Sequence, residues 1–455
     1  METGFMLLNY ATIISQNSIL AYLKISRMKH SFFTFLVLIS ALCASAADIK
    51  VDRTGAIVGS VTSISAAITA AADGDRIVVF SNGLIYNENL TINKSLTILC
   101  AAEGEYFFLT GSITIVPVNG REITIVGMHQ NGSIASGGVN PVGARCVVNI
   151  VDCEIAGTVT FNQDGYDVNL LYNYIWQNTQ IRYGKVIANK FGNETTDGGF
   201  IYGFLSITAE SATYGVGDTL FVIANRMLKT DNLGTGSIFT FDNPNLRYFI
   251  ANNSIRSGIL TSTQYTTNQN AVNIINCYLP DSANVFINNY CSAIETGGTC
   301  VAGTTYGCVQ LKGIKTENFA NNLLKNRYGS SYGCGALQMR GDYNYYDAYR
   351  AYPSGTDNNM FSVTGNVPIT YDNITGKVTA GVGGINSAKP GAAYTDIDLT
   401  RGDIGPWGGP WTQENYWDTN NPQGGRARVF LLNMPSNVYS LTTPVSIKAN
   451  ATHTK

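Results

Sequence analysis

The chain has 455 residues, of which 13% are charged, and a formal net charge of −2. With 29 basic against 31 acidic residues, nothing is basic enough for a nucleic-acid-binding surface. Low charge with 47 Gly and 26 Tyr fits extracellular β structure with many turns.

Read from the N-terminus, Lys29 and His30 precede an apolar run from Phe32 to Leu42, and Ala44-Ser45-Ala46 offers small residues for cleavage before Ala47. This pattern predicts a secretory signal starting at Met28. Residues 1–27 read as an upstream extension. Cys43 invites a lipoprotein reading, but Leu42 stands where a small residue is needed, so ordinary secretion is preferred. The mature chain would then run from Ala47 to Lys455, with 26 basic and 30 acidic residues and a net charge of −4. That length is large for a single compact core and natural for a solenoid. No apolar run after residue 46 is long enough to span a membrane.

The next stretch organises the chain. Ile64, Ala67, Ile68 and Ala71 recur at helical spacing, with Ser63 placed as N-cap, which predicts a short helix over 63–72. Asp73-Gly74-Asp75 stops it. Ile77–Phe80, Leu90–Ile92 and Leu96–Leu99 read as strands, with Ser81-Asn82-Gly83 as a turn. A small apolar helix ahead of closely spaced short strands suits a solenoid whose first coil needs a lid. The order I-x-x-A-I-x-A-A-x-x-G-D-x-I-x-V, then Y-x-E-x-x-x-I-x-K-x-x-x-I, resembles the opening of secreted bacterial right-handed parallel β-helix repeat proteins. These belong to the pectate-lyase-like superfamily, here of the Bacteroidota type. The resemblance implies an all-β fold, a right-handed parallel β-helix with an N-terminal capping helix.

A weak repeat fills the middle. Apolar strands end in Cys153, Asn173, Asn189, Asn225, Asn253, Cys277, Asn289 and Asn322. The intervals from Cys153 to Asn322 average about 24 residues, in the range of one solenoid coil. An Asn at such a corner is expected in αL geometry, its amide bonding the equivalent Asn one coil away. Asn ladders of this kind stabilise stacked, in-register strands. Cys153 and Cys277 are expected as buried thiols replacing Asn. Twelve residues cannot encircle a coil, so Cys277 and Asn289 belong at different corners. Long gaps imply loops at 191–218 and 291–314. Cys291, Cys300 and Cys308 lie where a disulfide can form, and their spacing matches no zinc site.

Later, Asp342-Tyr343-Asn344-Tyr345-Tyr346 suits a sugar-stacking platform less well than a late-coil strand. Residues Lys389–Ala392 and Asp396–Pro410 resemble the closing segment of the same bacterial proteins, with Leu399 for Gly and Trp407 for Tyr as departures. Expected boundaries are 1–46 for the upstream extension and signal, 47–75 for the cap, 76–412 for the β-helix, and 413–455 for a linker. The last of these includes the start of an immunoglobulin-like module, with strands at Val429–Leu432 and Val445–Ala449.

Chemistry is thinly written. After residue 46 the histidines are His129 and His453. His129 reads as a corner residue, so histidine-based catalysis or metal binding draws little support. The weak catalytic candidates are Arg226, Lys229 and Arg247. The weak metal candidates are Asp197, Asp231 and Asp242. These groups would share one side of the solenoid if residues 225–253 make one coil, as an anionic-sugar site with a cation requires. Two function classes follow. The first is a secreted or outer-surface β-helix without catalysis or cofactor, giving a rigid surface for adhesion or for binding a polysaccharide or cell-surface glycan. The alternative is a polysaccharide lyase on acidic polysaccharide, for which the resemblance implies Ca2+ and an Arg or Lys base.

Overall fold

In a computed structural model, the chain from Arg76 to Arg327 winds through three parallel sheets in strict rotation. Each coil contributes one strand to sheet A, one to sheet B and one to sheet C, and each strand pairs with its equivalents in the neighbouring coils. Sheet A runs from Asp48–Val51 to Phe319–Ala320, sheet B from Ile85–Asn87 to Met360–Phe361, and sheet C from Leu90–Ile92 to Val309–Gln310. This is a parallel β-helix. The structure describes residues 46–102, 104–192, 203–229, 237–257, 271–279, 283–294, 309–327, 341–348, 360–361, 369–372, 375–381, 383–391, 394–396, 400–417, 427–433 and 448–453. The signal and upstream extension, Asp197, Asp231, Cys300 and Cys308 lie outside these residues.

The first strand, Asp48–Val51, already pairs with Arg76–Val79 in sheet A, so sheet pairing begins inside the stretch expected as cap. The helix spans Ile64–Ala70, and the Ser63 side chain accepts from the Ala66 N–H. Its apolar face, Ile64, Ala67 and Ile68, is buried on the first coil. Glu88 and Lys94 of the opening motif have a physical reason. Glu88 accepts from the backbone N–H groups of Ile64 and Ser65 at 2.9 and 2.8 Å. Lys94 donates to the carbonyls of Ile68, Thr69 and Ala71 at 2.9, 2.8 and 2.5 Å. A carboxylate at the helix N-terminus and an ammonium at its C-terminus satisfy orphan backbone groups and oppose the helix dipole. The motif is therefore a clamp from the first coil onto its lid.

Within the coils, alternate residues point into a common core. In Cys146–Val151 the residues Cys146, Val148 and Ile150 are buried, while Val147 and Asn149 face outward. From Asp152 onward the sharp turn from sheet A to sheet B repeats in each coil. Asp152, Tyr172, Ala188, Ala224, Asn252, Asn288, Asn321 and Tyr343 all have φ between 49° and 59°. The residue after each is the ladder residue. Asn173, Asn189, Asn225, Asn253, Asn289, Asn322 and Asn344 are buried, and each side-chain oxygen accepts the backbone N–H of the ladder residue one coil earlier. From Asn189 onward it also accepts the side-chain amide of the preceding Asn.

Two expectations are corrected. The αL residue precedes the ladder Asn rather than being it, because the turn must be made before a side chain can re-enter the core. Cys277 is not a rung. It follows the sheet C strand Val272–Asn276 and its thiol points at the Lys312 carbonyl at 3.3 Å. Cys153 does hold the ladder position, donating its N–H to Asn173 Oδ1 at 3.0 Å, and both cysteines are buried thiols. Burial pushes Cys153 up to about 12 and Cys277 up to about 11. Cys291 is buried in Tyr290–Ile294 of sheet B.

Among the described residues, the segment expected to close the helix forms no further coils. After Met360–Phe361 a hairpin pairs Thr370–Tyr371 with Val378–Ala380. The described residues between 383 and 417 then form a strap that runs back along the outside of the A–B turns. Asn321 Oδ1 accepts from the Lys389 N–H. Asn288 donates to the carbonyls of Asp403 and Gly405, Asn252 to those of Pro406 and Gly408. Trp417 Nε1 donates to the Ala224 carbonyl at 2.8 Å. Tyr416 packs with Ile187, Ala188, Ile223 and Ala224, and Trp411 meets the Phe249 ring at 4.8 Å. The αL positions are thus matched to their cover. Asparagines meet the polar backbone of the strap, and alanines make room for its aromatic end. Ala427–Asn433 and Lys448–His453 pair as an antiparallel hairpin.

Candidate functional site

The expected site residues are dispersed. Arg226 is on sheet B, Arg247 on sheet A and Asp242 on sheet C. Arg226 donates from Nε to Gln413 Oε1 at 3.3 Å and lies 4.6 Å over the Trp417 ring. Arg247 lies 5.6 Å over Tyr278. Asp242 accepts from Asn276 at 2.7 Å. Lys229 ends the strand Arg226–Lys229. Residues 225 and 253 do bound one coil, but that coil faces three ways, so Arg226, Arg247 and Asp242 do not share a side. Among the described residues, no three His, Cys, Asp or Glu side chains converge as a metal site requires.

A different set does converge. The residue following each ladder position faces outward on sheet B, and register stacks these residues into one column. Phe108 is beside His129, then Glu154, Tyr174, Lys190 and Arg226. Successive members stand one strand spacing apart, ~4.8 Å. Phe108 and His129 ring centroids are 5.1 Å apart. His129 Nδ1 lies 2.6 Å from Glu154 Oε2. A carboxylate acceptor there holds a proton on Nδ1. Trp176 sits 5.7 Å from Tyr174, and Lys190 Nζ lies 4.9 Å over the Tyr174 ring.

Beside the column, Tyr106 donates to Asp152 Oδ1 at 3.2 Å. Burial, reinforced by the charges of Asp152 and Glu154, pushes the Tyr106 phenol above its ordinary value. Burial likewise raises Asp152, with the Tyr106 hydrogen bond opposing it.

The column has an open part and a covered part. Phe108 is 36% exposed, and the side chains of His129 and Glu154 are 29% and 31% exposed. Further along, Ser254, Tyr290, Leu323 and Tyr345 continue the register but are buried. Ile369, Tyr371 and Ile404 of the hairpin and strap pack on the last three of these.

A second charged group joins sheet A to the loop before Asp218–Ile223. Arg145 bridges Glu210 and Asp218, at 3.0 Å each, over the Tyr183 ring at 3.8 Å. The Glu210 side chain is 1% exposed, and burial raises its pKa more than Arg145 lowers it. Glu210 is closed to solvent and Asp218 is open to it, and together with Arg145 they fasten the loop to the coils.

His129 was expected at a corner and is instead a strand residue paired with Glu154. The signal that finds most of the column is the repeat itself, taken one residue further along: Glu154, Tyr174, Lys190 and Arg226 each follow a residue of the repeat, whereas His129 follows Met128 and carries no such mark. Their register, and hence the pairing of His129 with Glu154, depends on unequal coil lengths that local pattern does not resolve.

The fold and the two in-register columns define a parallel β-helix repeat protein. The chain matches no protein-family model, no curated protein and no solved structure.

Proposed function

We propose that this is a secreted or outer-surface β-helix protein whose open sheet B column binds glycans without chemical turnover. The observation that carries this reading is the column from Phe108 to Arg226, which combines ring surfaces with hydrogen-bonding groups on a rigid sheet. Sugar rings offer the complementary pair, apolar C–H faces and hydroxyl rims, and sites of this kind combine apolar surface with a few polar groups. The leader from Met28 to Ala46 and the low charge support export. The clamp of Glu88 and Lys94 on the capping helix supports kinship with the pectate-lyase-like β-helices, since it gives the shared motif a mechanical purpose. The lyase alternative needs a base and a bound cation on one face, and Arg226, Arg247 and Asp242 face three directions.

The test is retention of the exported chain on immobilised glycans. The Tyr174→Ala and Trp176→Ala variants should elute early, while Thr160→Ala on sheet C should be retained like the parent. Release of shortened or unsaturated products by the parent chain would overturn the non-catalytic reading.

A further inference from the structure

Resting on that reading, we infer that the ligand is an extended, equatorially linked polysaccharide lying along the stacking direction of the coils, with one sugar ring per coil. The column supplies the ruler. Phe108, His129, Glu154, Tyr174, Lys190 and Arg226 belong to six successive strands of sheet B and are in register without a shift. Their pitch is fixed by backbone hydrogen bonding at ~4.8 Å, and the buried Asn ladder behind the turn holds that register.

A flat, equatorially linked pyranose chain advances by close to this distance per ring. Successive rings therefore meet successive coils with little accumulated mismatch. A chain linked axially at one carbon and equatorially at the next, as α-1,4-glucan is, curls, gains less length per ring, and leaves the surface after a few contacts. The column is also bounded. Beyond Arg226 the next member, Ser254, is 2% exposed, and Trp417 stands against Arg226 as the end of the strap. Before Phe108 the register reaches Ile85, which is exposed and offers no side-chain hydrogen bond. Six rings is the length that fits.

Each ring adds one or two weak contacts, so affinity should climb with chain length by roughly five-fold per ring and level off once the column is full. The experiment is calorimetric titration of the whole exported chain with oligosaccharides of two to eight rings. The β-1,4-linked series would be of glucose, mannose and mannuronate, against α-1,4-linked glucose. At least one β-linked series should tighten up to about six rings and then plateau, and the α-linked series should not. Tyr174→Ala should flatten the length dependence and Tyr174→Phe should keep it, with circular dichroism confirming that both fold. Binding that is independent of length, or equal for the α-linked series, would overturn this inference while leaving glycan binding intact. No binding in any series, together with no retention on the immobilised glycans, would overturn both.

Discussion

Replacing Asn225 by Ala tests whether the buried ladder carries the stability of the coils. Asn225 is fully buried. Its Nδ2 donates to Val186 O at 2.7 Å and to Asn253 Oδ1 at 2.9 Å. Its Oδ1 accepts from the Asn189 backbone at 2.8 Å and from Asn189 Nδ2 at 3.0 Å. Four bonds at about 1 kcal/mol net each give a loss of about 4 kcal/mol. The orphaned Asn189 N–H, left in the core without this acceptor, sets that value toward the upper end for single substitutions. The control is Asn149→Ala. Asn149 makes comparable bonds to Glu122, Thr124 and Asn169 on the outer face of sheet A, where water can replace them, so its loss should stay below about 1 kcal/mol. In urea denaturation followed by circular dichroism, with an m-value of roughly 3 kcal/mol/M, the Asn225→Ala midpoint should fall by about 1 M. A shift no larger than that of Asn149→Ala would refute the ladder as a source of stability.

Two further predictions concern the ends of the helix. Trp407, Trp411 and Trp417 are three of the four tryptophans and all lie on the strap, so tryptophan fluorescence reports on its docking. Asn252→Ala removes two bonds to the strap at a position whose αL geometry alanine accepts at Ala188 and Ala224. It should make the fluorescence transition precede that of circular dichroism by about 2 kcal/mol, whereas unchanged, coincident transitions would show that these amides do not hold the strap. At the other end, burial disfavours ionised Asp52, but bonds from Thr54, the Ile57 N–H and Asn82 outweigh it and hold the carboxyl below its ordinary value. A depressed folded pKa stabilises the chain above the ordinary carboxylate range, and that contribution disappears as pH falls through the folded value. Asp52→Asn should therefore lower Tm at pH 7 and narrow the difference between pH 7 and pH 3. An unaltered pH profile would remove Asp52 from the acid response.

Sequence alone determined the elements that depend on local chemistry. The helix with its Ser63 cap is legible because four apolar residues at helical spacing can bury only one face. The parallel β-helix is legible because an Asn that must return its amide to the next coil recurs at the A–B turns from Asn173 onward. Tertiary structure decided what register and long-range packing control. Coils of unequal length hide which outward residues are neighbours, so Glu154 beside His129, 25 positions away in the chain, is fixed only when the strands stack. The same holds for Arg226, Arg247 and Asp242, which sit within one coil and yet face three ways. The strap is the clearest case: Asp396–Pro410 resembles a closing segment, but its path is set by Asn252, Asn288 and Asn321. Those side chains bond to its backbone, and a backbone partner leaves no side-chain pattern to read.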